Sequence, residues 1–211
     1  MWLTRKKKYN RSELLQAAAK AVGRRRYRKA IVHYRAVLDH EPEDYVTHGK
    51  LAPLLAATKD RDSAWRSFSQ AAEGYMEDGF ETKALSLYKV AAAAFPTRVL
   101  AWEKIAGHYL ETGRPQDAFQ TLSEASEHFT GKAHRHGAIQ LLTRALEIQP
   151  DDFATAFDLA RLLSKSRRRD EATALLRGFE TKVHGAELKR LRGLLFRVRP
   201  GPVTAWRWLR T

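Results

Sequence analysis

The sequence predicts an all-α protein: an α-solenoid of antiparallel helix pairs, with about eleven helices and a short C-terminal capping segment. Three observations predict it. Small residues recur as Ala30, Ala64, Ala84, Ala118, Ala138 and Ala172, a long gap of 34 alternating with a short gap of 20. Pro42, Pro96 and Pro150 are equally spaced, and their spacing of 54 is one long gap followed by one short gap. Large residues keep that spacing as Tyr34, Tyr88 and Leu142, as Leu51, Ile105 and Leu159, and as Phe68, Leu122 and Leu176. A period of that length holds three helices of roughly 14 to 16 residues with short turns, so the second helix of one pair is also the first of the next. Alanine lets two helices approach closely, while the large residues fill the seam beside them.

In chain order, Met1 to Asn10 is a basic arm carrying Arg5, Lys6, Lys7 and Lys8 beside Trp2 and Tyr9. Asn10 and Glu13 form a capping pair for a helix from Arg11 to Val22 that ends at Gly23. The next helix stops near His40, before Pro42, because proline cannot continue it. Helices from Asp44 to Thr58 and from Arg61 to Asp78 follow, with Gly79 closing the second and Pro53 imposing a kink or a late start on the first. Then come Glu81 to Ala94, Val99 to Thr112, Gln116 to Phe129 and Ala133 to Ile148, set apart by Pro96, Gly113, Pro115 and Gly131 and ended by Pro150. Asp152 and Asp170 suit the starts of helices running to Lys165 and Lys182. Ala186 to Val198 keeps an apolar stripe of Leu188, Leu191, Leu195 and Val198. Its other side is basic, as a terminal cap facing water requires. Phe196 stands where Tyr34 and Tyr88 stand, and Val203 to Leu209 has room for two turns that lay Trp206 and Trp208 over the last helix. The organisation is thus a basic arm over 1–10, a repeat domain over 11–185, and a capping helix with a Trp/Arg-rich tail over 186–211.

With 211 residues, 44% of them hydrophobic, the chain can bury a sizeable core. It has no cysteine, which excludes disulfides, thiolate metal sites and cysteine nucleophiles. No stretch is long and apolar enough to span a membrane, and no apolar run follows the N-terminal basic residues, so a cytoplasmic location, peripheral to the inner membrane at most, is expected. The net charge of +14 is uneven. Residues 1–35 carry +11 and residues 161–211 carry +10, whereas the middle carries −7. Such ends suit nucleic acid, an anionic membrane surface or an acidic protein.

From Val99 to Pro150, Trp102, Ile105, Ala106, Tyr109, Gly113, Ala118, Leu122 and Ala125 fall at the offsets of a 34-residue helix-turn-helix unit. Phe68, Ala71, Ala72, Tyr75, Gly79, Ala84, Tyr88, Ala91 and Pro96 repeat them, and Tyr27, Ala30, Ile31, Tyr34, Leu38 and Pro42 do so less fully. Over residues 11–185 the chain resembles the tetratricopeptide repeat family, in its bacterial type. The resemblance implies a right-handed superhelix and a concave groove, lined by the first helix of each pair, where a partner's peptide or helix docks without chemistry. Carried over residue by residue, the groove positions are Leu15, Ala19 and Val22; Gly49, Pro53 and Ala56; Glu73, Met76 and Glu77; Glu103, Gly107 and Leu110; and Phe157, Arg161 and Lys165. Family members that capture acidic chaperone C-termini need Lys and Asn where this chain has Leu15 and Ala19, so that partner is not expected. The expected function is a non-enzymatic scaffold or adaptor within a larger bacterial assembly such as a secretion, pilus or motility apparatus.

Catalysis finds little support in the residues, and no cofactor is implied. His134 and His136 flank Arg135, but no carboxylate joins them at zinc-like spacing. The other histidines are scattered, and Gly23, Gly79, Gly113 and Gly131 each fit a helix end rather than a phosphate loop. The aromatics of the ladder, Tyr34, Phe68, Tyr75, Tyr88, Trp102, Tyr109 and Phe129, read as core, with Trp65 outside it. One pattern remains. Successive turns of an antiparallel stack alternate between two edges, and one edge then collects Arg24, Arg25, Arg26, Arg98, Lys132, Arg135, Arg167, Arg168 and Arg169, with Lys59, Arg61 and Arg199. The opposite edge is mostly acidic. Helix dipoles attract both signs to every turn, so they do not produce this segregation. The alternative function is therefore binding of nucleic acid or an anionic membrane surface through the basic edge and the basic termini.

Overall fold

Alanine-rich amphipathic stretches fold as helices throughout residues 9–210, the part of the chain that the computed structural model describes. Trp2 and the cations Arg5, Lys6, Lys7 and Lys8 lie outside the described residues. The chain divides into two units, Met1–Phe95 and Pro96–Thr211. The first holds α1 (Arg11–Gly23), α2 (Tyr27–Leu38), α3 (Tyr45–Ala57), α4 (Arg61–Glu77) and α5 (Glu81–Ala94). The second holds α6 (Val99–Glu111), α7 (Pro115–Ser126), α8 (Gly131–Ile148), α9 (Phe153–Lys165), α10 (Arg169–Phe179), α11 (Gly185–Val198) and α12 (Pro202–Leu209). The all-α class holds, with eleven helices and a short twelfth among the described residues. Helix starts at Tyr45, Val99 and Phe153 are equally spaced, as are those at Arg61, Pro115 and Arg169, and both series keep the period of the proline ladder. Within the units each helix packs on its neighbours in sequence, and α3 also touches α5, α6 touches α8 and α9 touches α11.

Five turns share one construction. The N–H of Arg26 reaches back to the Ala21 carbonyl and that of Arg25 to Val22, and the same two bonds recur at Asp60 and Lys59, Phe80 and Gly79, Arg114 and Gly113, and Arg168 and Arg167. This is the left-handed C-terminal cap, and the residue after the left-handed one is already the N-cap of the next helix. Glycine takes the left-handed position at Gly79 and Gly113, but Arg25, Lys59 and Arg167 hold it with φ of 53°, 67° and 65°. Gly23 is the last residue of α1, as expected, but the left-handed turn falls two residues later, at Arg25. Gly131 likewise begins α8 two residues ahead of the expected start. Pro53 does not delay α3, because the Asp44 carboxylate caps it at Tyr45 by accepting from the Thr47 N–H at 3.0 Å, and the proline ring lies exposed within the helix.

The first described residues are held rather than free in solvent. Tyr9 donates to Glu41 at 2.6 Å and stacks on His40, and Arg11 bridges Glu41 and Asp44. Burial alone would raise the Asp44 pKa, but hydrogen bonds from the Thr47 hydroxyl and N–H and from Arg11 outweigh it and hold the carboxylate below its ordinary value. A depressed folded-state pKa contributes stability above the unfolded value of about 4, and that contribution is lost as pH falls through the folded value. Asp44→Asn, which keeps a capping side chain, is expected to cost about 1 kcal/mol at neutral pH, with the deficit shrinking below about pH 4. A deficit constant down to pH 2 in paired denaturant titrations would remove Asp44 as the titrating group.

The alanine ladder is the close crossing: Ala30, Ala64, Ala84, Ala118 and Ala172 are wholly buried. Leucine at Ala118 is expected to overpack this crossing and cost about 1–3 kcal/mol. An unchanged melting temperature would place Ala118 elsewhere. Of the ladder aromatics, Tyr34, Phe68, Tyr88, Tyr109 and Phe129 are core, whereas Tyr75 and Trp102 are only half-buried. Tyr75 opens toward an outer cluster with Tyr45 and Phe80, and Trp102 donates its indole N–H to the Pro96 carbonyl at 2.9 Å while stacking on His128. Trp65, outside the ladder, is buried.

Candidate partner-binding faces

None of the fifteen groove positions is buried, although their helices carry the core on other sides. In the first unit Ala19, Pro53, Glu73 and Glu77 are exposed, and Leu15, Val22, Gly49, Ala56 and Met76 are half-buried. Gly49 faces α4: a Cβ there would stand in ordinary van der Waals contact with the Ala71 Cβ at 3.6 Å. In the second unit Glu103, Gly107 and Leu110 lie half-buried on α6, and Glu103 accepts a hydrogen bond from Gln140 of α8 at 2.8 Å.

The structure draws Phe157, Arg161 and Lys165 into a cleft of about 980 Å³ between α9 and α11, with Trp208 of α12 as one wall. Its floor is apolar: Phe157, Leu194, Phe196 and the bare backbone of Gly193. Trp208 stacks face to face on Phe196 at 5.7 Å and covers Gly193, where a Cβ would come within 3.2 Å of the indole nitrogen. Around the floor stand Arg161, Lys165, Lys189, Arg190 and Arg197, and no carboxylate lines the cleft. Arg190 lies over the Phe157 ring at 4.8 Å. Arg161 pairs with Asp158 at 3.6 Å.

Sequence reasoning missed the part of this site that α11 supplies. Lys189, Arg190 and Arg197 read as the solvated side of a terminal cap, and Phe196 reads as a core residue. The apolar stripe is buried as expected at Leu191, Leu195 and Val198, with Leu194 added, but Phe196 is half-buried, stacked on the Trp208 ring of the short α12. The signal was the tail itself: α12 buries no residue fully, with Val203, Trp206 and Leu209 more than half exposed, so its tryptophan is free to form a wall.

The cations of the expected basic edge sit as follows. In the first unit Arg24, Arg25 and Arg26 are exposed at the α1/α2 turn. In the second, Arg135 donates to the Lys165 carbonyl at 2.5 Å and Arg199 approaches Asp170 at 3.7 Å, which gathers the start of α8, the α9/α10 turn and the end of α11. Arg168 is taken up by a two-pronged pair with Glu171, whose hydrogen bonds raise the guanidinium pKa and depress that of the carboxylate. Lys132, Arg167 and Arg169 are exposed, and Arg98 is half-buried. Among the described residues no three His, Asp or Glu side chains converge as a metal site, and no helix is long and apolar enough to cross a membrane.

Residues 134–195, from the first turns of α8 to near the end of α11, match the family model described as tetratricopeptide repeat. That stretch is a tetratricopeptide-repeat segment, and it contains most of the cleft. No curated protein matches the chain. Among solved structures, the chain is similar to a tetratricopeptide repeat protein from Parabacteroides merdae, at 16% identity over 94% of this chain and 89% of that one, with a TM-score of 0.29. It is similar to PilW, a type IV pilus biogenesis factor, at 17% identity over 94% and 90%, with a TM-score of 0.33. It is also similar to PilF of Pseudomonas aeruginosa, at 15% identity over 95% and 96%, with a TM-score of 0.28.

Proposed function

We propose that this protein is a non-enzymatic interaction scaffold that holds a segment of a partner protein against the accessible faces of its first-of-pair helices. The observation that carries the reading is the α9–α11 cleft: Phe157, Arg161 and Lys165, at groove offsets of the repeat, line a concavity open to solvent inside the tetratricopeptide-repeat segment. A face of mixed apolar and charged side chains on rigid helices suits a docked helix or extended peptide. A cytoplasmic location, peripheral to the inner membrane at most, and a place in a bacterial secretion, pilus or motility assembly are part of this proposal. Photo-crosslinking residues installed one at a time at Leu110, Phe157 and Arg161, with Gln120 and Arg144 as controls on other faces, test it in cells. Partner adducts are expected from the groove positions only; adducts of equal yield from the controls, or none from the groove, would end the reading.

A second reading is favoured by the gathering of Arg135, Arg167, Arg169 and Arg199 at one end of the second unit: salt-dependent binding of nucleic acid or an anionic membrane surface there. Changing Arg167, Arg168 and Arg169 to glutamine should weaken such binding in a salt series while sparing groove adducts. Equal affinity of variant and parent for RNA, DNA and acidic vesicles at low salt would dispose of it.

A further inference from the structure

The reading of the cleft as a partner site fixes where a segment docks but not its chemistry. We propose that the α9–α11 cleft selects an acidic amphipathic segment, one that lays a large apolar side chain against Phe157, Phe196 and Trp208 and sets carboxylates against Lys189, Arg190 and Arg197. The inference rests on the interaction-scaffold reading and adds the ligand class to it.

Two observations carry it. First, the cleft is lined by five cations and no anion. Arg161 has Asp158 as partner, whereas among the described residues no carboxylate pairs with Lys165, Lys189, Arg190 or Arg197. Covering such a floor with a neutral apolar segment would strip water from these cations with nothing in return, which is costly, so the occupant must bring the compensating charge. Second, the floor is concave and aromatic, with a volume of about 980 Å³ that falls at the upper end of ligand-pocket sizes of roughly 300–1,000 Å³. A phosphate backbone would satisfy the rim but leave the floor unfilled. A bilayer surface offers charge but no side chain to insert between two helices. A protein segment with an apolar and an acidic face supplies both parts, and the charge speeds and orients its arrival. The apolar floor demands an anchor as well as charge.

The probe is a synthetic peptide of about 16 residues, with leucine and phenylalanine on one helical face and glutamate on the other. Binding to the full chain is followed by fluorescence anisotropy of a dye-labelled peptide over a salt series. The parent is expected to bind, and to bind a matched peptide with glutamine in place of glutamate at least tenfold more weakly. Lys189→Gln, Arg190→Gln and Arg197→Gln together change three cleft-lining side chains and are expected to cost at least tenfold, with the circular dichroism spectrum unchanged. Trp208→Ala, on a helix that buries no residue fully, should cost a similar factor while leaving the salt dependence in place. Equal affinity for the glutamate and glutamine peptides would overturn the proposal. It would equally be overturned if anionic vesicles or RNA bound in a manner sensitive to the triple change but not displaced by the peptide. Self-association abolished by the triple change would assign the cleft to a second copy, and also overturns it. Failure of the peptide with groove adducts intact removes only this inference; failure of both removes the scaffold reading beneath it.

Discussion

Gly137→Ala is expected to destabilise the second unit by about 2 kcal/mol, a large effect for one methyl group and typical of overpacking in a dense core. Gly137 lies in α8, and a Cβ built there overlaps two ring atoms of Phe129 and comes within 2.9 Å of the Val99 Cγ2. Phe129 is 5% exposed, so the ring has little space into which to retreat. In a densely packed interior, added volume is relieved by off-rotamer side chains and backbone shifts, typically at about 1–3 kcal/mol. At roughly 2–4 °C per kcal/mol for a chain of this size, the melting temperature should fall by about 4 °C or more. Gly107→Ala in α6 is the matched control. It meets nothing within 4 Å, and alanine is the better helix former by about 1 kcal/mol, so this variant should be neutral or stabilised. If both glycines tolerate alanine equally, α8 does not press its backbone on Phe129.

Phe68→Ala should be costlier still, by about 3–5 kcal/mol, because the residue is wholly buried and its removal leaves a cavity as well as a lost transfer term. Phe68→Leu is the informative companion. The repeat places leucine at the two equivalent positions, Leu122 and Leu176, which are 0% and 1% exposed, so the same packing environment already accepts that shape. A cost below about 1.5 kcal/mol is expected for it. Chemical denaturation of the three proteins checks the series. A leucine variant as unstable as the alanine one would show that the position is not equivalent across repeats, whatever its spacing.

The helices are legible in the sequence because two local signals agree almost everywhere: an evenly spaced ladder for the core, and glycine, proline or Asp/Asn at most helix ends. Glu81 to Ala94 is read to the residue, and most other ends fall within a few residues. The misses share a cause. Glycine's preference for a left-handed backbone points to Gly23, yet an arginine shortly after it makes that turn, and nothing in composition announces a strained arginine. Offset alone places Phe196 and Tyr75 in the core, but an offset states which side of a helix a residue occupies, not how completely its neighbours cover it: Phe196 meets Trp208 of the short α12, and Tyr75 opens toward Tyr45 and Phe80. The cleft is half legible for the same reason. Phe157, Arg161 and Lys165 follow from the repeat register and Trp208 from the two turns expected after Pro202, whereas the part of Lys189 and Arg190 in the cleft depends on how the last two helices fold back, a tertiary matter with no periodic signature.

The left-handed cations have a consequence for engineering. Holding arginine or lysine in that conformation costs roughly 1–2 kcal/mol, part of which glycine recovers despite its own entropy cost. Arg25, Lys59 and Arg167 sit in three separate turns, so their replacement by glycine should add, raising the midpoint of thermal unfolding by a few degrees in the triple variant. The same three changes remove three positive charges. A single protein thus dissociates thermal resistance from cationic surface, and a variant that is tougher but binds RNA, DNA or acidic vesicles less well than its parent would show that the turns hold their cations for recognition at the expense of durability.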